Sequence, residues 1–184
     1  MSTTTTGQDI LELLARDHQE AKLLLERVDA ASPDEREELF WDMVPALVSH
    51  EVAEEIVVYP TIRSEAPDGD AEADARIKEQ SEAEEQLARM ESLDRGSVEF
   101  ATEMHVLHQA VLEHAQAEEE HIFPLLRNLE DPEERRRLGA RYEKAKASAP
   151  TRPHPNAPDT PPGNKLLGPI AALFDKARDS ARSS

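Results

Sequence analysis

One pattern occurs twice in this chain. Near its first third it reads His50, three residues, Glu54-Glu55, three residues, Tyr59-Pro60; later it reads His114, three residues, Glu118-Glu119, three residues, Phe123-Pro124. A weaker echo lies upstream of each copy: Asp17-His18-Gln19-Glu20-Ala21 aligns with Glu79-Gln80-Ser81-Glu82-Ala83. Leu25, Arg27 and Val28 then fall in register with Leu87, Arg89 and Met90. The offsets between the copies are 62 residues upstream and 64 downstream. A repeat of this kind restricts the architecture more than any bulk property. Two helical hairpins built on one pattern predict an all-α, antiparallel up-down-up-down four-helix bundle.

Periodicity and punctuation place the helices. The first covers residues 8–30, with Ile10, Leu14, Ala21, Leu25 and Val28 on one stripe and His18 among them. Ser32-Pro33-Asp34-Glu35 reads as a capped start with a capping box. The second helix then runs to Val58, kinked at Pro45 and ended by Tyr59-Pro60. A third covers 71–92 and a fourth 98–128, and Asp131-Pro132-Glu133-Glu134 opens a shorter fifth that reaches 147. Six of the 13 prolines fall between Pro150 and Pro162, a density that suits an extended linker. The expected organisation is a disordered start (1–7), a bundle (8–147), a Pro-rich linker (148–165) and a short amphipathic C-terminal helix (166–184).

Charge and composition exclude several function classes. With 39 acidic against 21 basic residues the net charge is −18, which repels phosphate backbones and argues against nucleic-acid binding. No run approaches the ~20 apolar residues of a membrane span, and residues 1–7 lack the marks of a signal peptide, so a soluble, cytoplasmic protein is expected. There is no cysteine, hence no disulfide framework or thiolate ligand. A metal here must be held by histidine and carboxylate.

His and Glu at i and i+4 project from one helix face, one turn apart, and can share a metal or serve two adjacent ones. His18 lies on the apolar stripe of the first helix, and Gln80 lies on that of the third with Ile77, Ala83, Leu87 and Met90. On the fourth helix His114 and Glu118 share a row with Leu107, Val111 and Leu125. Four helices thus aim polar groups at one level of an apolar core. Unpaired buried carboxylates are costly, whereas carboxylates bound to a cation are not. Imidazole and carboxylate without thiolate suit iron, with manganese and zinc as the other fits. With about one residue in five acidic, a lone His-x-x-x-Glu is close to chance. The repeated Glu-Glu and aromatic-Pro extension is not.

On these residues the chain resembles the hemerythrin-like cation-binding (HHE) domains, over roughly residues 8 to 147. The resemblance implies His18, His50, Glu54, His114 and Glu118 as metal ligands. It also implies an oxo- or hydroxo-bridged di-iron centre, with the two glutamates bridging and the histidines terminal. The tail, with Arg152-Pro153-His154-Pro155, is similar to that of bacterial, especially actinobacterial, members. One position departs from the family: Gln80 stands where its third helix carries a histidine. His121 is the first candidate to complete the site, since it follows His114 by seven residues and Glu118 by three. Glu82 and Glu84 are further candidates. Tyr59 is expected to pack at a helix end, with ligation as the alternative. His105 and His108 are expected at the surface, and His154 solvated in the linker.

The expected function is that of a non-haem iron protein binding or processing O2, NO or peroxide, with a redox or protein partner left open. A metal-sensing or metal-free interaction module is the alternative. A ferritin-like oxidase or storage protein is less favoured, because Glu118-x-x-His121 is the one Glu-x-x-His and that fold uses two.

Overall fold

The computed structural model describes residues 7–128 and 131–155 together with Asp175 and Asp179. The disordered start expected for 1–7 (save Gly7) and the C-terminal helix expected for 166–184 (save the two aspartates) lie outside the described residues. Among the described residues every regular element is helical. These are α1 (Ile10–Ala30), α2 (Pro33–Ala53), α3 (Tyr59–Glu65), α4 (Gly69–Met90), α5 (Val98–Ala117), α6 (Phe123–Arg127) and α7 (Pro132–Ser148). Two π-helical turns, Glu54–Val58 and Glu118–Ile122, join α2 to α3 and α5 to α6 without a break. The result is four long antiparallel helical rods, in which α1 packs on α2 and α5, and α4 on α5 and α3. The shorter α7 lies across α1 and α2.

The starts are set by caps. Asp9 and Ser97 accept hydrogen bonds from the first-turn amides of α1 and α5. At α2 the Glu35 carboxylate accepts from both the backbone N–H and the hydroxyl of Ser32, at 3.1 and 2.6 Å. α2 continues through Pro45 as one helix. The proline expected to end the second helix does something different. Pro60 has no N–H to give, and its ring crowds the carbonyl four residues back. The preceding amide, that of Tyr59, instead reaches back five residues to the Glu54 carbonyl. Pro124 acts in the same way, with the Phe123 amide bonded to the Glu118 carbonyl. Each proline therefore widens one turn and leaves the rod to continue.

The interior is divided. One apolar cluster gathers Ile10, Leu13, Leu14, Val57, Ile122, Leu126 and Tyr142, and a second gathers Leu25, Val28, Phe40, Met43, Leu87 and Phe100. Between them lies a buried polar level containing His18, His50, Glu54, Gln80 and Glu118. The α7 helix closes the first cluster, and its approach to the α1 start needs Gly139. A Cβ there would come within 2.1 Å of the Gln8 carbonyl oxygen.

The first residues of the expected linker are packed. Arg152 is buried, with its guanidinium 4.1 Å from the Trp41 ring centroid and ion-paired to Asp179 at 2.8 Å. The His154 amide donates to Glu84 at 2.7 Å, and its imidazole lies 3.0 Å from Asp175. His154 is thus held against the bundle, contrary to the solvated position expected for it. The cause is a set of acidic partners that proline density could not reveal.

Candidate metal centre

Each rod delivers its polar group from a helix whose periodicity points it inward. His18 Nε2 lies 3.1 Å from Glu118 Oε2, His50 Nε2 3.4 Å from Glu54 Oε1, and His114 Nε2 3.6 Å from Glu118 Oε2. One ligand atom each from His18, His50, Glu54 and Glu118 falls within 4.8 Å of all the others. The His18 ring stands edge-on to His50 at 5.2 Å and stacks on Phe123 at 5.6 Å. Phe123, the aromatic residue of the second repeat, thus forms an apolar wall.

Its counterpart Tyr59 reaches the polar centre. The phenol donates to Glu118 Oε1 at 2.8 Å, and its oxygen lies 3.4 Å from Glu54 Oε2. In an unbroken α-helix a residue five positions after Glu54 would point about 140° away. The π-helical turn stacks the two instead, so Tyr59 belongs to the cluster and not to helix-end packing. The same geometry overturns the expectation for His121. Seven residues after His114 would share its face in an α-helix, but the widened turn swings His121 out. Its side chain is 53% exposed, and its nearest acid is Glu72 at 4.0 Å.

Gln80 faces inward, as its stripe predicted, and is buried. Its amide donates to Glu54 Oε2 at 2.7 Å and to the Tyr59 oxygen at 2.6 Å, and lies 3.4 Å from His114 Nε2. Glu82 and Glu84 do not join the cluster: Glu82 is exposed and pairs with Lys78 at 3.6 Å, and Glu84 receives the His154 amide. His105 is exposed as expected, whereas His108 is half-buried in an ion pair with Asp29. A cleft of about 320 Å³ between α4 and α5, lined by Glu51, Gln80, Ala83, Val111 and His114 among others, runs from this level to the surface.

The second ring nitrogen of every histidine in the cluster is held from outside. His18 Nδ1 bonds Glu119 at 3.0 Å, His114 Nδ1 bonds Glu79 at 2.8 Å, and His50 Nδ1 bonds the Tyr142 hydroxyl at 2.6 Å. A carboxylate only accepts, so Glu119 and Glu79 hold the Nδ1–H forms and turn Nε2 inward. The second glutamate of the Glu-Glu pair therefore has a task in one repeat, signalled in the sequence by the pair itself. Asp17 and Glu79 occupy the same place in the upstream repeat, each just before the inward residue of its helix, whereas Tyr142 carries no such signal.

Electrostatics complete the picture. Burial first, then the charge of Glu118, pushes the Glu54 carboxyl well above the usual range. Burial also raises Glu118, but the nearby His114 and His18 imidazoles outweigh it and bring Glu118 down to about 2. The two carboxyls are thus driven apart, Glu54 toward its protonated form and Glu118 toward its ionised form. His18 loses basicity to burial and regains more from Glu118 and Glu119, for a net rise, whereas burial leaves His50 lowered. Glu54 Oε1 and Gln80 Oε1 are buried and accept no hydrogen bond. Paired buried carboxylates, converging Nε2 atoms and an orphaned carboxylate oxygen fit a cation.

A helical bundle with a buried histidine–carboxylate level between its rods defines a class of candidate metal-binding proteins. The chain belongs to the hemerythrin family: the Hemerythrin HHE cation binding domain matches residues 9–142. It is similar to an uncharacterized hemerythrin-like protein of Schizosaccharomyces pombe, 32% identical over 134 residues, covering 72% of this chain and 66% of that protein. It is also similar to a DNA nickase of Nostoc sp., 27% identical over 152 residues, covering 79% of this chain and 43% of that protein. The chain thus spans less than two thirds of the length of either relative. No solved structure matches significantly. No helix among the described residues is long and apolar enough to cross a membrane.

Proposed function

We propose that this chain is a non-haem iron protein, with a di-iron site held by His18, His50, Glu54, His114 and Glu118, that binds or processes dioxygen, nitric oxide or a peroxide in the cytoplasm. The observation that carries this reading is the convergence of three imidazole Nε2 atoms on two buried carboxylates between two apolar clusters. Iron bound there supplies a Lewis-acidic, redox-active centre for a small ligand. The protein's own groups do the rest. Glu119, Glu79 and Tyr142 hold the imidazoles in one tautomer and orientation. Phe123 and the apolar clusters keep bulk water out. The Gln80 amide and the Tyr59 hydroxyl place hydrogen-bond donors beside the carboxylates, and the α4–α5 cleft gives a small molecule a way in.

The ferritin-like alternative loses its one supporting motif, because His121 points to solvent while Glu118 points inward. The nickase likeness is not carried over, since a surface this acidic disfavours a phosphate backbone. Metal analysis with an optical spectrum of freshly purified protein tests the proposal. Two irons per chain with near-ultraviolet charge-transfer bands support it. A colourless, metal-free chain that copurifies with a protein partner would turn the reading toward an interaction module.

A further inference from the structure

The three histidines are not anchored alike. Glu119 and Glu79, which hold His18 and His114, have side chains 52% and 40% exposed, so water competes for them. The anchor of His50 is Tyr142, fully buried and supplied by α7, outside the four rods that carry the cluster. Tyr142 is itself held: its hydroxyl donates to Asp17 Oδ2 at 2.8 Å, and Lys146 Nζ donates to the same oxygen at 2.7 Å. Asp17 is buried, and Lys146 is the partly exposed end of the chain of contacts.

The direction of these bonds follows from the donors available. A phenol has one proton, and an ionised carboxylate draws it more strongly than a neutral imidazole does. Asp17 is the charged partner because two cations sit on it, Lys146 Nζ 2.7 Å from one carboxylate oxygen and the Arg16 guanidinium 3.1 Å from the other. The Tyr142 proton therefore goes to Asp17. The phenol oxygen, 2.6 Å from His50 Nδ1, is left to accept. That requires a proton on Nδ1 and leaves the Nε2 lone pair facing Glu54.

We propose that Tyr142, Asp17 and Lys146 are positioning residues for the metal centre, locking His50 as the Nδ1–H tautomer, so that α7 is part of the metal site and not merely a cover for the core. This deepens the function proposed above and rests on it for the role of His50 as a ligand. The chain runs Lys146 to Asp17, Tyr142 to Asp17, and His50 to Tyr142, each donor satisfied by the next acceptor. Losing the carboxylate would free the Tyr142 proton to bond Nδ1 and drive the imidazole proton to Nε2, which blocks the ligating atom.

Two readouts on the full chain test this, one of them independent of any metal. Nitrogen-15 NMR of the metal-free protein should show His50 protonated at Nδ1, and at Nε2 once Asp17→Asn removes the acceptor charge. Titration with Zn2+ should show Tyr142→Phe and Asp17→Asn weakened about 10- to 100-fold, as for the loss of an outer partner of a ligand, with helix content unchanged. Should Tyr142→Phe fail to fold, the isosteric Asp17→Asn decides. A wild-type His50 protonated at Nε2, or variants that bind Zn2+ as tightly as the parent, would overturn the proposal. A parent that binds no Zn2+ or iron would sink the functional reading, while the NMR result would still judge the positioning chain.

Discussion

His18 and Glu118, one hundred residues apart, meet at 3.1 Å in the middle of the bundle. The contact joins the first hairpin to the second, and Gln80 returns the link by donating to Glu54 at 2.7 Å. Each half of the repeat thus closes its site on the other half.

Replacing His50 and His114 together by alanine removes two of the three inward imidazoles. Bound iron should fall by more than the roughly 10- to 100-fold typical of losing an outer partner, with far-ultraviolet circular dichroism close to the parent. A double variant carrying a full metal complement would refute the ligand assignment.

Gln80→His should bring a fourth imidazole to the level where the amide now bonds Glu54 and Tyr59. Iron should bind more tightly and the optical spectrum should change. The metal-free form should lose about 1–3 kcal/mol for the hydrogen bonds given up at a buried site, measured by urea unfolding. Identical affinity and spectrum in parent and variant would mean that residue 80 does not approach the metal.

Cation binding should release protons. In the metal-free fold Glu54 and His18 are both shifted toward holding a proton, Glu54 by burial and the Glu118 charge, His18 by Glu118 and Glu119 against the effect of burial. Both must give it up to ligate, so affinity should rise with pH through the neutral range. For the metal-free protein the sign reverses. Groups with raised folded values contribute stability that is full below their unfolded values and lost as pH climbs through the folded ones. His50, lowered by burial, works against this trend. Calorimetry of Zn2+ binding in buffers of different ionisation enthalpy measures the proton count; a count of zero would contradict the upward shifts of Glu54 and His18.

Truncation after Ser148 should leave a folded bundle that loads metal, because none of the cluster residues lies beyond it. It should remove the Arg152 guanidinium from Trp41, a contact worth about 1–2 kcal/mol when shielded from water. Fluorescence of Trp41, the single tryptophan, should report the loss. A truncated chain that cannot hold iron would show that the segment holding His154 to Glu84 supports the site.

Helical periodicity and the repeat made the rods, the inward positions of His18, His50, Gln80 and His114, and the polar level itself legible in the sequence. Two of the errors share one origin. Placing His121 beside His114, and ending a helix at Pro60, both assume an unbroken turn of 3.6 residues. The π-helical turns change that count locally, moving Tyr59 in and His121 out. The paired Glu-Glu and aromatic-Pro marks were visible as a repeat, but their consequence depends on which backbone carbonyl each proline deprives of a donor. The links of Asp17 to Tyr142 and of Arg152 to Trp41 span more than a hundred residues with no periodic signature, so only the fold reveals them.

The division of the interior into two apolar clusters has a consequence for unfolding. Each cluster can melt on its own terms if the charged level between them is only a seam. A cation gripping residues from three of the four rods would act as a rivet across that seam. The loaded protein should then come apart in one sharp transition, and the metal-free protein in a broader one, with the Tyr142 side and the Trp41 side reporting different midpoints.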